Sequence, residues 1–457
     1  MATATVAAPP LAARTQRLLE APVASTLLRL AAPNVLVMVL QAVVTTLDAV
    51  FVGWLGPSAL AGVSLVYPLV MLMQTMSAGG MGGGVASAVA RALGAGRRAE
   101  AQALAAHAVV IALVMASIFT TGLLLGGPAI YRAIGGTGEA LEAAVTYSRV
   151  VFGGAVVFWL LNTLGSIVRG TGTMALPAAV MSGAALFYLA LAPALVMGWG
   201  PFPRLGVAGT AAANLGAFGL AVLVLLVYLC SPMSPVRLSF RGLRFRRAHF
   251  WEILRVGAPG SLNTILTNLT VVLMTGLVGP FGTASLAGYG MGARLEYLQI
   301  PLVFGMGSAL VAMVGTNVGA GQLARAERVA WTGAGLAAGV TASIGLLAAV
   351  FPRAWLGLFT ADAHVQAAGA IYLMIVGPTY GFFGLGLALY FASQGAGRLA
   401  WPLMAGFARL TIAAAGGWLG GYVFGWGLPG IFAAMALALI VFGATMAGAL
   451  RLGAWRR

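Results

Sequence analysis

Apolar runs, interrupted only at clusters of Arg, Gly and Pro, occupy almost the whole of this sequence. A helix needs about 20 such residues to cross the hydrocarbon core of a bilayer. Twelve stretches meet that length: 31–55, 59–90, 102–127, 140–166, 174–199, 206–230, 252–278, 284–318, 327–351, 366–392, 400–424 and 428–450. They are too long for membrane β-strands and lack the strict alternation a barrel requires. Of the 457 residues only 7% are charged, against about 25% in soluble domains. The chain therefore has no charged skin for a soluble enzyme, and no composition for a nucleic-acid-binding domain or a disordered scaffold. It is predicted to be an all-α polytopic membrane protein.

The net charge of +16 comes entirely from Arg, since the sequence has no Lys. Its distribution sets an orientation. With the N-terminus inside, the inner connections hold Arg91, Arg97, Arg98, Arg169, Arg325, Arg328 and Arg398. The tails, the central linker and Arg255 just beyond it add twelve more, whereas the outer connections hold only Arg132, Arg204 and Arg353. Positive charge is retained on the cytoplasmic side, so both termini are expected there, in a bacterial inner membrane. One Cys and three His, far apart in sequence, form no metal-ligand spacing and no disulfide framework.

The predicted organisation is a cytoplasmic tail (1–30), six spans (31–230), a basic linker (231–251), six more spans (252–450) and a short tail (451–457). An internal repeat supports the division. Leu28-Arg29-Leu30-Ala31-Ala32-Pro33 returns as Leu254-Arg255-Val256-Gly257-Ala258-Pro259, and Tyr147, Gly170 and Pro177 return as Tyr372, Gly395 and Pro402. Each half has an even number of spans, so the two enter the membrane in the same sense. They should form two six-helix lobes related by a pseudo-two-fold axis along the membrane normal, a transporter architecture.

An ionisable side chain at mid-depth costs at least ~2.5–3.5 kcal/mol, so each one there is a functional candidate. Of the nine acids, only Asp48 and Glu296 fall deep within spans. Asp48 sits roughly 12 Å from the outer end of span 1 at helical rise, and Glu296 roughly 18 Å into span 8. Asn34, Gln41, Thr45 and Asp48 share one face of span 1. Such a face must meet protein or water, not lipid. Span 7 carries Ser261, Thr264 and Asn268 at similar spacing, without an acid. Tyr67, Met71 and Gln74 share a face of span 2, where Met and aromatic surfaces suit cationic and apolar ligands or plain helix packing. The glycine run Met76–Gly84 lacks the Lys-Ser/Thr of a phosphate loop; it reads as close packing or a kink. No cofactor site, nucleophile–base pair or nucleotide fingerprint stands out, so energy is expected from an ion gradient.

Several motifs then point to a family. They are Leu-Asp-Ala-Val-Phe-Val-Gly-Trp-Leu-Gly (47–56), Val-Ala-Arg-Ala-Leu-Gly-Ala-Gly (89–96) and Val-Arg-Gly-Thr-Gly (168–172). Val-Gly-Thr-Asn-Val-Gly-Ala-Gly (314–321) and Gly-Leu-Pro-Gly (427–430) complete the set. With these in order across two lobes, the chain resembles the MATE (multidrug and toxic compound extrusion) transporters along its whole length. The resemblance implies a V-shaped pair of lobes, alternating access, and export of amphipathic or cationic organic compounds in exchange for H⁺ or Na⁺. It maps the family's span-1 Asp onto Asp48, where Na⁺ is a possible occupant, and gives no enzymatic activity. The span-7 and span-10 acids of the NorM-like branch are missing, which puts the chain nearer the DinF-like branch. The Asp-Pro frequent in span 5 of that branch is replaced by Ala192-Pro193, with Tyr188 one turn earlier and Asn214 on span 6 as a further neighbour. The resemblance also implies small organic partners, surrounding lipid, no nucleic acid and a monomer. A flippase for lipid-linked sugars or lipids, sharing the general architecture, is the alternative function.

Overall fold

The computed structural model describes residues 13–240 and 244–456. Residues 1–12 of the expected tail, 241–243 of the linker, and Arg457 lie outside the described residues. The first half comprises α1 (Ala13–Glu20), α2 (Val23–Gly53) and α3 (Pro57–Thr75), which continues through a π-helical turn, Met76–Met81, into α4 (Gly82–Gly94). It goes on with α5 (Arg98–Ala133), α6 (Gly138–Gly153), α7 (Ala155–Gly170), α8 (Ala175–Met197) and α9 (Val207–Cys230). The second half holds α10 (Arg247–Val278), α11 (Thr283–Gly319), α12 (Leu323–Val350), the short α13 (Pro352–Leu356) and α14 (Ala363–Val376). It ends with α15 (Tyr380–Ala396), α16 (Ala400–Thr411), extended by two π-helical turns to Val423, and α17 (Gly427–Arg451).

Twelve membrane passages result when α6 and α7, which meet at a 45° bend, count as one broken span. The break falls at Gly153-Gly154, where the backbone has little intrinsic helix preference; an apolar count across 140–166 does not register it. Large apolar side chains such as Leu36, Val39 and Val43 of α2 stay exposed, as expected of helices whose outer solvent is hydrocarbon. Two differences from the sequence reading stand out at the start. Helix α2 begins at Val23, inside the stretch expected as tail. Helix α1 precedes it with Leu18 and Leu19 buried.

Each lobe has its own core. One cluster runs from Val44 to Ile253 around Trp159, Tyr131 and Phe152, and two others fill the second lobe around Leu310 and Tyr372. Helix α2 is shared: Leu27 and Ala31 pack into the second lobe, while Val44, Phe51 and Val52 pack into the first. The lobes meet most closely where glycines allow backbones to touch. A Cβ on Gly80 would lie 2.6 Å from the backbone nitrogen of Ser261, and one on Gly84 would lie 2.7 Å from that of Gly257. The glycine run is thus a packing seam with a π-helical turn in it, two of the roles such residues serve in membrane helices.

Candidate functional site

The two embedded acids lie in different electrostatic surroundings. Asp48, half-buried on α2, accepts a hydrogen bond through Oδ1 from the Tyr188 hydroxyl of α8. Tyr67 of α3 and Tyr147 of α6 lie within electrostatic reach of the same carboxyl. Among the described residues no Arg or His pairs with it. Its polar company is three phenols, which can orient a carboxyl but cannot neutralise it.

Glu296 on α11 is buried and paired. Its Oε1 lies 3.4 Å from Nη2 of Arg409 on α16, and its Oε2 accepts from the Tyr372 hydroxyl at 3.2 Å. Tyr380 in turn donates to Tyr372 at 3.4 Å. The Arg409 guanidinium also sits over the rings of Phe383 and Phe442, 5.6 and 5.7 Å from their centroids. The repeat-related tyrosines therefore serve corresponding tasks, Tyr147 near the acid of the first lobe and Tyr372 on that of the second. Among the described residues only the second acid has a cation.

The other anticipated residues divide. Asn34 is buried and its Nδ2 donates to the Gly305 carbonyl across the lobes at 3.5 Å, so it holds α2 to α11. Ser261 is buried against Gly80 with an unpaired hydroxyl. Thr45 bonds back to Gln41 O at 2.9 Å, Thr264 to Gly260 O at 3.2 Å and Asn268 to Thr264 O at 2.9 Å, each within its own helix. Gln41, Met71 and Gln74 are half-buried and Tyr67 is exposed. Asn214 is half-buried on α9 and makes no side-chain hydrogen bond among the described residues.

Sequence reasoning missed the polar closure between the lobes. Arg91 reads as a loop arginine but lies buried near the end of α4, donating to Glu252 of α10 at 2.8 Å and to the Gly395 carbonyl at 3.1 Å. Ser87 bonds the Gln394 and Gly395 carbonyls at 2.5 and 3.0 Å, and Gln394 Nε2 donates to Gly79 O at 2.9 Å. Helix α1 bridges the same end: Asn317 donates to Leu18 O at 3.2 Å, Arg325 to Ala21 O, and Arg14 to Thr173 of the first lobe. All the cross-lobe hydrogen bonds among the described residues lie in the half of the molecule that carries the termini. The lobes are clasped there, and Asp48 lies toward the other end.

A pair of repeated six-span lobes, clasped at one end and carrying an acid within each, is a transporter architecture. The chain belongs to the MATE family, since the MatE family model matches residues 33–194 and 259–419. It is 26% identical over 377 residues to the FAD transporter of Shewanella oneidensis, covering 82% of each chain. It is 28% identical over 382 residues to the Bacillus subtilis protein named "Probable multidrug resistance protein YoeA", covering 81% of each. A solved structure described as the outward-facing conformation of a multidrug resistance MATE family transporter of the MOP superfamily matches with a TM-score of 0.88. That match has 23% identity and covers 98% of this chain and 100% of the other. The MATE family is one of multidrug efflux transporters rather than enzymes, and the chain is a multi-pass membrane protein of that family.

Proposed function

We propose that this transporter exports amphipathic organic cations in exchange for protons, with Asp48 as the coupling carboxyl. The observation that carries the reading is that Asp48 is embedded and, among the described residues, hydrogen-bonded only by a phenol and unpaired with any cation. A carboxyl so placed can hold a proton in one state and attract an organic cation in another. Competition for one site supplies the differential affinity that exchange requires. Na⁺ is the other candidate ion. Among the described residues Tyr188 is the one side chain bonded to the carboxyl, and a proton, which needs a single acceptor oxygen, fits that arrangement more readily than Na⁺, which takes several oxygen ligands at once.

Glu296 takes a lesser part. Its charge is matched by Arg409, so it acts by tying α11 to α16 through that ion pair and influences coupling through the tie. Alternating access proceeds by releasing the clasp at the terminal end, which we place in the cytoplasm of a bacterial cell, and closing the lobes over Asp48. Of the two branches, DinF-like chemistry based on the first-lobe Asp fits better. Flavin-type anions are a second substrate class, favoured by the name of one relative, but the inward cation Arg409 is already held by Glu296.

The test is transport in proteoliposomes loaded with a pH-sensitive dye. Adding an organic cation such as ethidium is expected to drive protons out in proportion to its uptake. Proton movement driven by FAD, with none driven by organic cations, would replace this reading with the anionic one.

A further inference from the structure

A cavity of about 460 Å³ opens at the terminal end of the second lobe, between the α15–α16 turn and the end of α17. It lies apart from Asp48 and Glu296 and only borders the clasp, where Gly397 faces the Arg91 guanidinium already bonded to Glu252 and Gly395; the export mechanism does not use it. Its polar wall is cationic. Arg398 is exposed on the turn and has no side-chain partner among the described residues, and no acid lines the cavity. Glu327, at the start of α12, is already taken by Arg456 at 2.9 and 2.7 Å.

Two further donors line the same space. Helix α16 starts here with Leu399 as an N-cap that offers no side-chain hydrogen bond, so the first N–H groups, those of Ala400 and Trp401, are left for an outside acceptor. Ser393 is buried, 6% exposed, and lines the cavity. Most Ser and Thr hydroxyls in these helices bond back to a carbonyl three or four residues earlier. That of Ser393 has no partner among the described residues. A guanidinium, an uncapped helix start and an unpartnered hydroxyl together suit a tetrahedral oxyanion.

The remaining walls are apolar: Met446, Leu450 and Trp455, the last only 6% exposed. From the mouth an apolar strip continues along the outside of α16, where Trp401, Met404 and Phe407 are 42, 58 and 46% exposed. These recur every third residue, so they follow one side of the helix toward the bilayer interior. Indole rings prefer the headgroup level of a membrane.

We propose that this cavity binds the phosphate of an anionic glycerophospholipid, with Arg398, Ser393 and the start of α16 on the headgroup and the α16 strip along an acyl chain. The occupant is a membrane lipid rather than a soluble phosphate, because the phosphate-binding donors sit directly above lipid-facing apolar surface. The net negative charge matters, since Arg398 has no acid beside it.

The experiment is a lipid titration of the purified full-length protein by native mass spectrometry, with phosphatidylglycerol, phosphatidylcholine and glycerol 3-phosphate as probes. Phosphatidylglycerol is expected to be retained over phosphatidylcholine by about five-fold, the factor one surface Arg provides. Arg398→Gln should abolish that preference, and Arg353→Gln, an exposed arginine at the opposite end, should leave it intact. Brominated phosphatidylglycerol in nanodiscs should quench the wild type more than Trp455→Phe, which locates the bound lipid. Equal retention of the two lipids would overturn the proposal, as would an unchanged preference in Arg398→Gln. Displacement of the lipid by millimolar glycerol 3-phosphate would overturn the choice of a lipid occupant.

Discussion

Removing the charge of Glu296 should destabilise the second lobe, and removing its partner as well should restore much of the loss. The pair is 3.4 Å apart with side chains only 8 and 10% exposed. At that separation and an effective dielectric of about 20, the attraction is about 5 kcal/mol. Desolvation offsets much of this, and breaking a buried pair by deleting one member costs about 3–5 kcal/mol. Glu296→Gln leaves Arg409 over two aromatic rings, so we expect the lower end, about 3 kcal/mol. Arg409→Met leaves an acid held only by Tyr372 and should cost as much or more. The double variant should fall well short of the sum, with a coupling energy of about 2–3 kcal/mol. The assay is reversible unfolding of the four proteins in mixed micelles, followed by tryptophan fluorescence. Two single variants that each cost under about 0.5 kcal/mol and add simply would refute the reasoning. The acid would then be effectively unpaired, and the ground for giving Asp48 the coupling role would go.

Three further outcomes follow from the clasp and the ends of the chain. Glu252→Gln should leave Arg91 buried with less compensation and shift the lobes toward opening at the terminal end by about ten-fold, a loss of about 1.4 kcal/mol; spin-label distances between the lobes that match the wild type would contradict this. Deleting residues 1–22 removes the bridge made by α1 and should broaden the same distance distribution while leaving each lobe folded; a narrow wild-type distribution would show that α1 bears no part of the clasp. Cys230, exposed at the end of α9, should react with an impermeant maleimide in inside-out vesicles and not in intact cells; labelling from outside would reverse the proposed orientation.

The spans were legible because length and hydropathy leave few alternatives to a membrane helix, and the six-plus-six repeat because Pro33 and Pro259, or Tyr147 and Tyr372, recur in register. Asp48 was legible for the same reason in reverse: in so apolar a run an acid has no ordinary place. Its bond to Tyr188, 140 residues away, was only suggested, by position one turn before Pro193. The Glu296–Arg409 pair, 113 residues apart, could not be read, since nothing local to either residue encodes that the two side chains reach each other from separate helices. Arg91 was misread because an arginine near Gly94-Ala95-Gly96 looks like a connection. Only the burial of α4 between the lobes shows it to be part of the clasp. Ser87 and Gln394 were overlooked for a related reason, since single polar residues in apolar helices carry no period. The repetition of Tyr147 as Tyr372 was the signal that could have joined the two acid sites before the structure did.

The most direct test of the account is the proton stoichiometry of Asp48→Asn in proteoliposomes holding equal amounts of variant and wild-type protein. The amide keeps the size of the side chain and its acceptor for Tyr188 but fixes it neutral. The account predicts a folded, inserted protein in which an added organic cation releases no protons, while Glu296→Gln, after correction for its lower stability, retains partial exchange. Wild-type exchange by Asp48→Asn would contradict the central claim, and loss confined to Glu296→Gln would move the coupling site to the second lobe.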